Sequence, residues 1–218
     1  MEKILLILIF TLSFSNLSSQ SFENDNKQIH KENIEAGKTK LKIFLNNRLD
    51  KIKDAIRKEK EKLSDIKDFQ FGRSVTTKEK QIQVQEGKIS ELENYKLRVE
   101  NELINANIHK TFEFQKNPKQ LVKYIFTAMQ KKEFDKLRHL CDPYMENDSD
   151  VNGICLINTL NDKQKKQATN LFKNGRIMGD SVIKKNKAEI EIAIGISAKK
   201  LEKITLVERN DYWYLLSL

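Results

Sequence analysis

Proline and glycine are scarce in this sequence, with two prolines and seven glycines in 218 residues. So few turn-formers argue against a linker-rich chain and against an all-β chain with many turns. Histidine is also rare, at His30, His109 and His139, and no Ser–His or Cys–His pair stands at a spacing that suggests an activated nucleophile. No apolar run reaches the ~20 residues that a membrane-spanning helix needs. No groove-reading nucleic-acid motif occurs, so nucleic acid is not an expected partner. Cysteine is limited to Cys141 and Cys155, which allow a single intrachain pairing.

What the chain has in quantity is charge. Charged residues make up 33% of it and the net charge is +9, against a hydrophobic share of 39%. That balance suits exposed helix around a modest core. The basic excess suits anionic surroundings, and equally a plain lysine-rich solvated surface.

The N-terminus speaks to compartment. Lys3 precedes an apolar run from Ile4 to Phe14, and small polar residues follow. This is the order of a secretory signal, with cleavage expected after Ser19 and Leu17 at the −3 position. No cysteine lies there to carry a lipid anchor. The expectation is a signal peptide over 1–19 and an exported, periplasmic or secreted protein; the alternative is an uncleaved anchor. The Lys-, Asn- and Ile-rich usage has a bacterial look.

Residues 28–115 read as helix without proline. Leu41, Leu45, Leu49, Ile52, Ile56, Leu63 and Ile66 recur at steps of three, four and seven, with Glu59 taking one seam position. A second stripe runs Ile82, Ile89, Leu92, Val99, Leu103, Ala106, interrupted by Gln85 and Lys96. Narrow stripes of this kind resemble coiled-coil seams. Gly72 suits a helix stop, and Thr76 with Glu79 matches a capping box. The pattern predicts helices over about 28–70 and 76–114, folded antiparallel into a hairpin ~50–60 Å long. Gly37 is a candidate start of the first helix. So thin a seam needs a further partner, either the C-terminal half or a second copy. Lys38 to Lys62 carries ten Lys or Arg against four acids, which makes this segment a candidate contact for an anionic envelope surface or a solvated face. Self-association, or an envelope protein met through the hairpin, is the other expected partnership.

The composition changes at Asn117-Pro118, an N-cap followed by a first-turn proline. Leu121, Val122, Ile125 and Met129 form one helical face, and Phe134, Leu137, Leu140 and Cys141 continue it as a second helix stopped by Asp142-Pro143. A third helix is expected over 163–174, with Gly175 as its stop. Then Ala188, Ile190, Ile192 and Ile194 alternate with Glu189, Glu191 and Ala193, which marks a one-sided strand. Ile204 and Leu206 oppose Thr205 and Val207, and Asn210-Asp211 signals a hairpin turn into Tyr212–Leu216. Helices followed by antiparallel strands predict an α+β domain over 117–218.

Two stretches carry a resemblance. NPKQLVKYIFTAMQKKEFDKLRHLCDP resembles the opening helices of the nuclear-transport-factor-2-like cone fold, and KLEKITLVERNDYWYLLSL resembles its last hairpin. The resemblance covers 117–218 only, and the long helical segment ahead of it departs from the minimal form. It implies a cone of helices on a curved sheet with a pocket between them. Some relatives are enzymes, which aim an acid–base pair into that pocket, while many others are binding or assembly modules. The strand face expected to point inward, Ala188 to Ile194, carries no titratable group. Glu202 shares the parity of Ile204 and Leu206 and is expected at the rim. His139 is expected to face solvent, and no catalytic residue is assigned.

The acidic stretch CDPYMENDSDVNGIC, 141–155, supports several readings. Asp148, Asp150 and Asn152, followed by Gly153, match the first half of a calcium loop. The twelfth position is Thr159 rather than Glu, and Asp162 is the nearest acid beyond it. The competing reading is an Asn/Asp-rich turn that caps helices, with its acids exposed. Cys141 and Cys155 suit either a disulfide across the loop or two buried free thiols. Together these features point to a non-catalytic exported module for binding or assembly in the cell envelope. The alternative is a small-molecule enzyme or ligand carrier that uses the cone pocket.

Overall fold

The change of hydrophobic period near Asn117 is a change of architecture in the computed structural model. It describes the backbone of residues 2–68 and 75–218, and the side chains of 25–68 and 77–218. Helix α1 spans Glu2–Asp68 and α2 spans Val75–Asn105. Lys60 pairs with Glu93 and Lys67 with Glu86, so the two helices run in opposite directions. Their shared core is Leu45, Leu49, Ile52, Ile56, Val99 and Ala106, the residues of the two stripes. The polar interruptions meet each other: Gln85 Nε2 donates to Glu59 Oε2 at 2.7 Å and to the Glu59 carbonyl at 2.9 Å. The further partner that the thin seam requires is Leu156, which enters this core from the C-terminal half. Gly72 lies outside the described residues, as does the side chain of Thr76, and the side chains of the expected signal segment lie outside them too.

Three expectations need correction. Gly37 does not start α1, which is already helical well before it. It is instead a point of contact: a Cβ there would lie 1.9 Å from the Pro143 carbonyl oxygen. Helix α2 ends at Asn105 rather than near 114, and the chain reaches a short 3-10 turn at Glu113–Lys116 through irregular backbone. Leu137–Leu140 is a 3-10 turn and not a second α-helix, because Cys141 is drawn out into extended backbone beside Leu215.

The C-terminal half is α+β. Helix α3, Pro118–Lys131, opens with the Asn117 side chain accepting from the Gln120 N–H. Helix α4 is Ser149–Cys155, and α5, Asp162–Phe172, starts in a capping box made by Asn161 and Gln164. Strands β1 (Arg176–Ile177), β2 (Val182–Lys184), β3 (Lys187–Ile194), β4 (Lys200–Arg209) and β5 (Tyr212–Ser217) form one antiparallel sheet. Its order is β1-β3-β4-β5, with β2 also paired to β3. Asn210 and Asp211 both have positive φ, 51° and 68°, which is the backbone of a tight two-residue hairpin turn. Helix α3 lays Leu121, Val122, Ile125 and Met129 on the inner face formed by Ile190, Ile192, Ile204, Leu206 and Leu215. Gly175 is confined by the Phe126 ring, 2.3 Å from where a Cβ would sit. The free edge of β5 is covered by residues 141–148: Asp142 N–H donates to Leu215 O and Asp148 N–H to Leu216 O.

Candidate functional site

An open groove of about 740 Å³ runs between the helix pair and the start of α5, lined by residues that include Glu59, Lys88, Arg98 and Asp162. Of two further concavities, the larger is a pocket of about 350 Å³ between α4, α5 and the end of the sheet, walled by Ile154, Leu160, Leu171, Phe172, Ile194 and Leu218. Its polar residues are Ser149, Asp150, Lys200 and Glu202, and Lys200 pairs with Glu202 at 2.7 Å. Glu202 therefore stands on the pocket lining, engaged with a cation. A volume of this order suits a small organic ligand, and apolar walls with a few polar groups are the usual make-up of such sites.

The smaller is a cavity of about 50 Å³ beneath α1, lined among others by Gly37, Glu102, His109, Arg138, His139 and Asp142. Its size suits a few water molecules and not a substrate. Here the sequence reading of His139 is corrected, because the side chain is buried. The backbone tightens into the 3-10 turn at this point, which rotates the ring inward against Phe112 and His109. Burial, reinforced by the positive charge of Arg138, lowers the His139 pKa to about 4. Burial, followed by the charge of Lys38, lowers that of His109 to about 4 as well. Burial raises the pKa of Tyr214, whose hydroxyl lies 3.2 Å from His109 Nε2. A neutral imidazole and a protonated phenol fit a hydrogen bond in which the phenol donates. Glu102 is buried beside Arg138, with Oε1 at 3.1 Å from Nη2 but out of line for a hydrogen bond. Burial raises its pKa, and the Arg138 charge opposes that shift.

Asp142 also departs from expectation, since it is 1% exposed. Arg209 holds it with two bonds, Nε–Oδ1 at 3.1 Å and Nη2–Oδ2 at 3.2 Å. The same guanidinium reaches Glu146 Oε2 at 2.5 Å and lies 4.3 Å over the Tyr144 ring. Tyr144 in turn bonds His30 Nδ1 on α1 at 2.6 Å, and Lys40 donates to its carbonyl. The chain's three histidines thus gather along the seam between the helix pair and the sheet domain. Nothing in their spacing, at 30, 109 and 139, announces it. The seam groups clasp elements together and open onto no substrate-sized space.

The acidic stretch folds as follows. Asp148 caps α4, with Oδ1 accepting from Val151 N–H at 2.8 Å and Oδ2 from Leu218 N–H at 3.1 Å. Asp150 is exposed in the first turn, and Asn152 Oδ1 accepts from Asn147. Helical backbone turns 100° per residue, so alternate side chains diverge and the three do not converge on one point. Among the described residues no group of three or more His, Cys, Asp or Glu could hold a metal. Thr159 is buried and bonds Leu156 O, Arg48 and, through its carbonyl, Arg98. Asp162 lies in the first turn of α5. Cys141 and Cys155 form a disulfide with Cα atoms 5.9 Å apart. In the Lys38–Lys62 segment, Lys38, Lys53, Arg57, Lys58, Lys60 and Lys62 are engaged in ion pairs. Compared with known proteins, the chain matches no family model, no curated protein and no solved structure.

Proposed function

We propose that this chain is an exported, non-catalytic binding or assembly module of the bacterial cell envelope. The supporting observation is the way the titratable interior is used. Asp142 with Arg209, Glu102 with Arg138, and His109 with Tyr214 all join one element to another. Glu102 with Arg138, like His30 with Tyr144, fastens the helix pair to the C-terminal half, while the other two pairs hold the seam segments to the sheet; that is what a scaffold needs and what a catalytic pair, free to exchange protons with a substrate, does not. The exposed side of the helix pair, with Ile43 at 55% and Leu97 at 55% exposure, is the surface offered to a partner or to a second copy. Photo-crosslinkable residues at these two positions, in cells making the full chain, test the proposal. Discrete cross-linked bands in the envelope fraction are expected. A protein that stays in the cytoplasm, or that forms no adduct from either position, defeats it.

A second reading, a carrier of small apolar molecules, is favoured by the pocket at α4, α5 and the sheet end. It fits the cone shape implied by the family resemblance. Filling the pocket with Ala168→Phe should abolish uptake of an apolar fluorescent probe by the purified protein. Unchanged uptake would remove the pocket from consideration.

A further inference from the structure

We propose that the β3–β4 turn is a membrane-contact tip that presses Ile196 and Leu201 into an anionic lipid bilayer. Ile196 is 75% exposed and Leu201 66%, and both stand at the same end of the β3–β4 hairpin. Isolated exposed apolar residues are ordinary on protein surfaces. Three features set this pair apart.

The first is backbone geometry. Gly195 has φ +93° and Ala198 φ +49°, so the turn places a residue with a Cβ in the left-handed region at an energetic cost. The turn is also pinned. Gly195 N–H donates to Leu171 O at 2.7 Å, Ala198 N–H donates to Gly195 O at 3.0 Å, and the Asn174 side chain donates to Ile196 O at 2.7 Å. The Ala198 side chain is buried while Ile196 is turned out. Backbone strain held in place by surrounding bonds points toward function.

The second is charge. Lys199 and Lys200 follow the turn, and Arg176 shares a row of the sheet with Leu201 through Ala193. Lys199 and Arg176 have no ion-pair partner among the described residues, in contrast to six of the ten basic residues of the Lys38–Lys62 segment. The nearby acids are Glu202, paired with Lys200; Asp150, exposed on the same pocket as Lys200; and Glu191, opposite Lys203 in the sheet, whose own ion pair is with Glu189.

The third is the combination. A soluble anionic polymer would reward the cations but gain nothing from Ile196. A bilayer rewards both, because the apolar side chains enter the headgroup boundary while the basic groups remain at the phosphates. This inference concerns a different surface from the crosslinking positions on the helix pair, and it holds whether or not the pocket carries a ligand.

The test is local to the tip. The full chain carrying Ile196→Trp is mixed with vesicles of phosphatidylglycerol and phosphatidylcholine, or of phosphatidylcholine alone, with bromine-labelled acyl chains. The native Trp213 is buried and serves as the background. Emission from position 196 should shift to the blue and be quenched on the anionic vesicles only, and less so as salt rises. Lys199→Glu with Lys200→Glu should remove the quenching. Ile196→Ser with Leu201→Ser should weaken partitioning about tenfold. All of these positions are exposed, so circular dichroism should stay unchanged. The proposal fails if the protein does not bind vesicles. It fails equally if the protein binds while Trp at 196 stays unquenched, which would place the contact elsewhere on the chain, or if neutral vesicles quench as well as anionic ones.

Discussion

Asp142 shows how far one buried carboxylate can organise its surroundings. It is enclosed by Arg209 and by the N–H groups of Tyr144 and Glu146. Removing one member of a buried ion pair leaves the other charge without compensation, so Asp142→Ala should cost about 3 kcal/mol or more in urea unfolding. A cost below 1 kcal/mol would mean that Arg209 finds water or Glu146 instead. His109 and His139 contribute to the pH dependence, with buried Glu102, whose pKa is raised, acting in the opposite sense. The folded pKa values of the two histidines, about 4, lie below the unfolded value near 6.5, so the unfolded chain takes up protons first on acidification. Their contribution is therefore complete above about pH 6.5 and is lost as the pH falls towards 4. Urea midpoints should decline through that window, and His139→Gln should flatten the decline; an equal slope in the variant would assign it to other groups. For Asp148, melting curves with calcium and with a chelator should coincide, because both carboxylate oxygens already accept N–H groups. A calcium-dependent rise that disappears in Asp148→Ala and Asp150→Ala would reverse this.

At the scale of elements, the seam between α1 and residues 142–146 depends on the absence of a side chain at position 37. Gly37→Val has no room against the Pro143 carbonyl and should push α1 away from it. Hydrogen exchange at residues 142–146 should then speed up. Unchanged exchange would mean that the loop moves together with the helix. Within the helix pair, cysteines placed at Ile52 and Val99, both in its core, should cross-link within one chain. Linkage between chains alone would mean that the pair forms by dimerisation. The stripes announced which residues meet, since Leu45, Leu49, Ile52, Ile56 and Val99 are all buried. Leu156 was not legible as their neighbour, because its place follows from α4 delivering it across the domain. The strand alternation of Ala188–Ile194 was read correctly, except that Ala193 is buried as well, on the face expected to be open.

For the whole molecule, the disulfide joins the strand-like backbone at Cys141 to the end of α4. The loop it closes is short, and a cross-link of that length is worth about 3 kcal/mol in the chain-entropy account. Reductant should lower the melting temperature by several degrees without changing the far-ultraviolet spectrum. An unchanged melting temperature would show that packing alone holds the loop.

The sequence by itself determined the α+β class, the two helical stripes, the cap at Asn117, the turn at Asn210-Asp211 and the inner face of β3. Each of these is a local or periodic property, carried by residues within a turn or two of one another. Only the tertiary structure decided that Asp142 is buried, that Gly37 is a contact and that the second oxygen of Asp148 meets Leu218. Those outcomes rest on partners 67 to 106 residues away: Arg209 for Asp142, Pro143 for Gly37, Leu218 for the second oxygen of Asp148. A charge or a glycine looks the same in a linear pattern whether it meets solvent or another backbone. What distinguishes them is the free energy of a contact that exists only once the chain has closed upon itself.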